Sequence, residues 1–143
     1  MKIIISYDSK FGNGKKVVEE LQEILKEKGQ DVEIFSVGDT KPEDLPTADI
    51  YIFSSPTRMF MLPPGMKSFI KKFKPANEKS KYALITTYLD PRVRALAAME
   101  KVLQKKGMIK ITDGFKVKVT NIEGPLEEGY ENRLKEFAVQ LIS

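Results

Sequence analysis

The stretch KIIISYDSKFGNGKK, residues 2–16, decides the fold class of this chain. Its three consecutive isoleucines form an apolar run with high β propensity, which predicts a strand buried on both faces of a sheet. Turn-forming residues follow, and from Asn13 onward apolar side chains recur at helical spacing until Gly29 supplies a C-cap. A buried strand that runs through a glycine-containing loop into an amphipathic helix is the first half of a β-α-β unit.

The rest of the chain repeats this alternation. Further strands are predicted at residues 31–37, 48–54, 82–88 and 108–119. The turn-forming residues Asp113 and Gly114 can interrupt the last of these strands. Further helices are predicted after Pro63-Pro64 and at residues 91–106 and 127–142, whereas prolines leave room for only a turn around Glu43 and Asp44. This pattern predicts one α/β domain over residues 1–143, with a five-stranded parallel sheet of order 2-1-3-4-5.

Composition narrows the chemistry that the chain can perform. Its 143 residues are 41% hydrophobic and 31% charged, as in soluble globular proteins, and they include no cysteine and no histidine. Disulfides, thiolate nucleophiles and imidazole ligands are therefore excluded. Any reaction is expected to belong to a bound cofactor, with no metal site.

The distribution of apolar residues bears on localisation. The apolar run after Met1 is too short for a signal-peptide core, and no run approaches the roughly 18 residues that a membrane span needs. We therefore expect a cytoplasmic protein that does not bind a membrane.

Charge is distributed unevenly along the sequence. Residues 1–57 carry 7 basic and 11 acidic side chains, residues 58–118 carry 15 and 4, and the last 25 carry 2 and 5. The basic middle forms an electrostatic patch if its lysines share a face, and otherwise consists of solvated helix faces. No nucleic-acid-binding motif accompanies it, so we expect no nucleic-acid partner.

The loop at residues 9–15, SKFGNGK, has the composition of an anion-binding loop. Its glycines let the backbone approach a ligand closely, so that peptide N–H groups and the helix dipole can hold a phosphate. Ser9 and Asn13 add polar side chains. A structural alternative stays open, in which Asn13 only caps the helix. The loop matches neither a Walker A motif nor a dinucleotide-binding fingerprint, because required glycines and a hydroxyl are missing.

A second loop, at residues 54–67, carries an unusual apolar segment. Four neighbouring side chains follow neither strand nor helix periodicity, namely Met59, Phe60, Met61 and Leu62. They predict contact with a ligand, a loop folded back into the core, or a surface that binds a partner protein.

These two loops resemble the flavodoxin family. That family has an apolar strand and a Ser/Thr-rich loop around a Gly-Asn pair, matched here by Tyr7, Ser9, Gly12 and Asn13. Its later Ser-Pro-Thr segment before a proline-rich helix start is matched by residues 55–57. Phe11 and Gly14 depart from the pattern, because the family usually has hydroxyl side chains there.

The resemblance implies a three-layer flavodoxin-like fold with FMN as its cofactor. It implies that the first loop binds the phosphate, that the second contacts the ring and ribityl chain, and that a third loop, residues 86–92, flanks the ring. Tyr88 is the expected stacking residue, with a buried strand-end tyrosine as the alternative. The cofactor-binding candidates are Ser9, Lys10, Phe11, Gly12, Asn13, Gly14, Ser55, Pro56, Thr57, Arg58, Met59, Phe60, Thr87 and Tyr88.

The expected function is electron transfer through FMN, with no catalytic side chain. The alternatives are an FMN-dependent NAD(P)H:quinone or flavin reductase and a flavin-free interaction module. A phosphorelay receiver is excluded, because Ser54 and Ser55 stand where it needs an aspartate. Since the family is typically acidic and this chain has a basic middle, we expect a redox partner protein with an acidic docking face.

Overall fold

The computed structural model describes residues 1–59, 61–77 and 79–143. One parallel sheet crosses the molecule in the order β2-β1-β3-β4-β5, with β6 also paired to β4. The strands are β1 (Lys2–Tyr7), β2 (Asp31–Ser36), β3 (Ile50–Pro56), β4 (Lys81–Tyr88), β5 (Ile109–Lys110) and β6 (Phe115–Lys118). The predicted flavodoxin-like sheet order is therefore confirmed.

Four helices cover the two faces of this sheet. They are α1 (Asn13–Glu27), α2 (Pro64–Lys72), α3 (Ala95–Lys105) and α4 (Tyr130–Ile142). The side chains of α1 and α4 pack with Ile3 and Ile5 in one buried cluster, whereas those of α2 and α3 pack with Ile4 in another. Because successive strand residues point to opposite faces, β1 contributes to both cores.

The predicted fifth strand is divided into β5 and β6. Both segments pair with β4, Ile109 beside Lys81 and Phe115 beside Ile85. Together they therefore occupy the place of a single strand next to β4. Between them the chain packs closely on α3, since a methyl group at Gly114 would lie 2.9 Å from Cδ1 of Leu96. The predicted break near Asp113 and Gly114 is thus confirmed.

Two helices begin later than the sequence predicts. Residues 91–94 precede α3 as a turn, in which the backbone N–H of Arg92 donates to Oδ1 of Asp90 at 2.9 Å. Residues 127–129 precede α4. The N–H of Glu127 donates to the carbonyl of Lys118 at 2.8 Å and thereby continues the antiparallel pairing of Val119 with Leu126, so the helix begins only after it. Only a short 3-10 turn, Pro42–Asp44, separates β2 from β3, as predicted.

In the described part of the chain, none of the helices is both long enough and apolar enough to span a lipid bilayer.

A buried hydrogen bond ties α1 to α4. The hydroxyl of Tyr130, whose side chain is almost fully buried, donates to the carboxylate of Glu20 at 2.8 and 2.7 Å from its two oxygens. Burial raises the pKa of Tyr130 above its ordinary value of 10.0, and the hydrogen bond to Glu20 raises it further. The neutral phenol is therefore the form that the folded state favours.

We expect Tyr130→Phe to lower the free energy of unfolding by about 2 kcal/mol near neutral pH, because a hydrogen bond to a charged acceptor is lost. Guanidinium denaturation measures this loss. Above about pH 10 the unfolded wild-type chain releases a proton that the folded chain keeps, so wild-type stability falls as pH rises. The variant lacks this proton, and its deficit therefore shrinks between about pH 9 and pH 11. A deficit that stays constant over this range contradicts the assignment.

Candidate functional site

Three loops meet at the carboxyl ends of the parallel strands and enclose a cavity of about 400 Å³. They follow β1, β3 and β4, at the point where the strand order reverses between β2-β1 and β3-β4. Crevices at such a switch point are the usual ligand sites of open α/β sheets. The cavity volume lies within the range of small-molecule sites.

Most of the residues singled out in the sequence lie around this cavity. Those that line it are Ser9, Lys10, Phe11, Asn13, Gly14, Pro56, Thr57, Arg58, Met59, Thr87 and Tyr88. Gly12 and Ser55 do not line it, and Ser55 is instead buried at the end of β3. Phe60 lies outside the described residues.

The first loop is closed by its own serine. The N–H of Gly12 donates to Oγ of Ser9 at 3.2 Å, and Gly12 takes a left-handed conformation with φ of 88° that favours glycine. Helix α1 begins at Asn13 with Gly12 as its N-cap and with no side chain capping it. The capping alternative for Asn13 is therefore wrong, and the N-terminal amides of α1 stand beside the cavity without that cap.

The second and third loops are joined to each other. The N–H of Thr57 donates to the carbonyl of Thr87 at 2.8 Å, and the hydroxyls of Thr57 and Thr86 lie 2.8 Å apart. Arg58 and Met61 exchange backbone hydrogen bonds as an antiparallel bridge. These bonds fix the direction in which Thr57 and Arg58 leave the sheet.

The apolar segment of the second loop is mainly exposed in its described part. Met59 is 87% exposed and Met61 59% exposed, whereas Leu62 is half-buried against the core that contains α2. Among the described residues of this segment, folding back into the core therefore accounts for Leu62 alone. Met59 lines the cavity, in the position expected of a ligand contact.

The comparison with protein families agrees with this architecture. A family model described as a flavodoxin domain matches residues 4–125. The chain belongs to the flavodoxin domain family. No curated protein sequence matches it significantly.

Solved structures with the flavodoxin fold extend over nearly the whole chain. Flavodoxin 2 from Bacillus cereus has a TM-score of 0.85 and 20% identity, covering 99% of this chain and 98% of its own. The flavodoxin of Streptococcus pneumoniae TIGR4 has a TM-score of 0.82 and 21% identity, with the same coverage. Rubredoxin oxygen:oxidoreductase from Desulfovibrio gigas has a TM-score of 0.77 and 21% identity, covering 97% of this chain and 34% of its own. At these identities the likeness establishes the fold.

The cavity of this flavodoxin-family chain is bordered by cations. Lys10 and Arg58 line it, and neither forms an ion pair with a carboxylate within residues 1–59, 61–77 and 79–143. The Lys10 ammonium lies 5.2 Å from the centre of the Phe11 ring. The carboxylate of Asp90, which also lines the cavity, is paired with Arg92 at 2.6 Å. Positive charge therefore predominates at the mouth of the cavity.

Four lining residues were missed in the sequence, namely Leu89, Asp90, Val119 and Ile122. The first two belong to the third loop and were signalled by its position after β4. Val119 and Ile122 come from the segment after β6, which shares the same sheet edge, but no local motif marks it.

Five lysines of the basic middle lie on one face of the molecule. Exposed lysines lie along α2 and α3, which cover the same side of the sheet, and they are Lys67, Lys71, Lys72, Lys101 and Lys105. At the far end of α2, Nζ of Lys106 donates to the carbonyl of Lys71 at 2.9 Å. These five lysines, but not the whole basic middle, meet the condition of sharing a face.

In the described part of the chain, no cluster of three or more aspartate, glutamate, histidine or cysteine side chains could hold a metal ion.

The Asp90–Arg92 pair gives a testable titration. The guanidinium and backbone N–H of Arg92 hold the pKa of the Asp90 carboxyl down at about 2 from its usual 3.8. The pair therefore favours folding above about pH 4, and this contribution is lost as pH falls toward 2. We expect Arg92→Ala to raise the Asp90 midpoint part of the way to its usual value, because the guanidinium is lost and the backbone N–H at position 92 is kept, as followed by NMR of the carboxyl carbon. An unchanged midpoint in the variant contradicts the assignment.

Proposed function

We propose that this chain binds FMN in the cavity and acts as an electron carrier. The observation that carries the proposal is the convergence of the α1 N-terminus with the loops after β3 and β4, in a chain of the flavodoxin domain family. FMN has a dianionic phosphate at one end and an apolar aromatic ring at the other. The lining of the cavity offers both the polar N-terminus of α1 and apolar or aromatic side chains from the loops after β3 and β4.

The first loop fits the phosphate. The uncapped turn of α1 offers backbone N–H groups and the positive end of a helix dipole, which together form an anion site. Phe11 and Gly14 supply no hydroxyl, so backbone amides and the side chains of Ser9, Asn13 and Lys10 would hold the phosphate. Lys10, which also lines the cavity, would add a positive charge that attracts the phosphate.

The second and third loops fit the flavin ring. Tyr88 is half-buried and lines the cavity, which suits stacking on one face of a ring. Met59 and Arg58 lie on the second loop, where a thioether and a planar guanidinium can cover or border an aromatic system. FMN, when bound, supplies reversible uptake and release of electrons through its ring. The protein supplies position and electrostatics, and no side chain of the cavity needs to act as acid or base.

The rim of the cavity suits transient contact with a second protein. Exposed apolar side chains from several loops surround the opening, namely Phe11, Met59, Leu89 and Ile122. Lys10 and Arg58 stand among them, and the lysines of α2 and α3 extend the positive region along one face. A redox partner with an acidic docking face would be attracted to this surface.

Titration with FMN tests the proposed function. We expect the chain to quench FMN fluorescence at micromolar protein and to change its visible absorbance. Absence of binding at these concentrations refutes the proposal and favours the flavin-free interaction module. Steady oxidation of NADH or NADPH by the FMN-loaded chain identifies a reductase, and reduction only by a protein donor identifies a carrier.

A pair of variants at Tyr88 sharpens this test. Tyr88→Leu removes the aromatic ring, and we expect FMN to bind about fivefold more weakly because stacking contributes about 1 kcal/mol. Tyr88→Phe keeps the ring and is expected to stay within about twofold of wild type. Equal losses in both variants would assign the effect to the hydroxyl and contradict stacking.

Charged small oxidants test the polarity of the rim. We expect the reduced, FMN-loaded chain to react faster with anionic ferricyanide when salt is lowered, and the cationic tris(phenanthroline)cobalt(III) to show the opposite trend. Lys10→Glu with Arg58→Glu should lower the ferricyanide rate several-fold.

A matched control changes the same number of charges away from the rim. Lys71→Glu with Lys72→Glu alters the far end of α2, and we expect it to shift the ferricyanide rate by less than about twofold. If the two double variants slow the reaction equally, net charge controls the rate and a docking surface at the rim is not supported.

A further inference from the structure

The segment between β6 and α4 forms a closed hairpin, residues 119–126, at the edge of the cavity. Val119 and Leu126 pair as an antiparallel bridge, and both the N–H and the hydroxyl of Thr120 donate to the carbonyl of Pro125, at 2.9 and 3.1 Å. At the tip, the N–H of Ile122 donates to Oδ1 of Asn121 at 2.8 Å. The 119–126 hairpin is therefore held by its own hydrogen bonds.

This hairpin contributes a wall of the cavity. Val119 and Ile122 both line it, Val119 as a buried side chain and Ile122 with 65% exposure. None of the loops considered from the sequence includes these positions.

The hairpin also lies against the first loop at Gly124. A methyl group at Gly124 would lie 2.5 Å from Oδ1 and 3.1 Å from Nδ2 of Asn13, so the bare glycine backbone is in contact with the Asn13 side-chain amide. Gly124 has φ of 102°, which also favours glycine. Asn13 is the first residue of α1 and lines the cavity. The amide group of Asn13 thus lies between the hairpin and the anion-binding end of the cavity.

We propose that the 119–126 hairpin is a fourth ligand-binding loop and that Gly124 is a positioning residue for Asn13. Any side chain at position 124 would occupy the space of the Asn13 amide and turn it away from the cavity. The ligand class is the phosphate monoester of a flavin mononucleotide, so this inference rests on the proposed function. Gly124 acts through Asn13 and has no contact with the ligand of its own.

Gly124→Ala tests the contact, and Gly129→Ala is its matched control. Gly129 has φ of 83°, and a methyl group added there would have nothing within 4 Å, so its variant carries similar backbone strain without touching Asn13. We expect Gly124→Ala to weaken FMN binding about tenfold and Gly129→Ala to change it by less than about twofold. Melting temperatures followed by circular dichroism show whether both variants are folded. Equal effects of the two variants on binding overturn the inference.

A double-mutant cycle with Asn13→Ala separates positioning from a general disturbance. If Gly124 acts only by holding the Asn13 amide, Gly124→Ala adds no further loss of FMN affinity once that amide has been removed. If the fold-losses of FMN affinity in the two single variants multiply in the double variant, the inference is overturned.

Amide NMR spectra of the ligand-free chain supply a second readout. We expect Gly124→Ala to shift the side-chain amide of Asn13 and the backbone amide of Gly14, and Gly129→Ala to leave both in place. Unmoved signals in Gly124→Ala overturn the contact. If the wild-type chain binds no FMN, the proposed function and the ligand assignment are both refuted. If the wild-type chain binds FMN but the losses of affinity in Gly124→Ala and Asn13→Ala multiply in the double variant, only the positioning role of Gly124 is refuted.

Discussion

The structure depends on the pairing of β1 with strands on both of its sides. Parallel pairing joins Ile3 to Val32 of β2 and to Ile50 of β3, so β1 is central in the sheet. Ile3, Ile4 and Ile5 are fully buried, and they alternate between the α1–α4 core and the α2–α3 core. Burial of each such side chain contributes about 1.5–3 kcal/mol to the stability of the fold. Because β1 supplies these side chains to both cores, the stabilities of the two cores are linked through this strand. It also delivers the first loop to the switch point, where a ligand can reach the start of α1.

The sequence predicted those features that depend on local patterns. The isoleucine run defines β1, the spacing of apolar residues defines α1, and Pro42 with the residues after it admits only a short turn. The starts of α3 and α4 were placed too early, because specific hydrogen bonds hold the residues just before each helix in other conformations. Before α3 that bond is from the Arg92 N–H to Asp90, and before α4 it is from the Glu127 N–H to Lys118. Such bonds depend on side-chain and tertiary geometry, which periodicity does not record.

The same distinction applies to the candidate site. Glycines and the Ser-Pro-Thr segment are local signals, and the first two loops that carry them line the cavity. The contribution of Ile122 and Gly124 is tertiary, because it arises only when the segment after β6 folds beside α1. Asn13 illustrates the difference most clearly. Its residue type suggested a helix cap, yet Gly12 occupies the N-cap and the Asn13 amide lies against the backbone of Gly124.

Charge adds a property that neither fold nor loop motif determines. Asp90 lines the cavity but is neutralised by Arg92, which leaves Lys10 and Arg58 as the cations that face the opening without an ion-pair partner in the described part of the chain. The electrostatic effect of an exposed charge extends over about one Debye length, which is about 8 Å at physiological salt. These two cations therefore interact with any charged molecule that contacts the rim. Lysines along α2 and α3 prolong the positive region beyond that distance. An apolar rim gives little direction to an approaching partner, whereas a one-sided positive field orients it before contact. The fold therefore fixes the position of the candidate site, and in the proposed function the surface charge selects the partners that approach it.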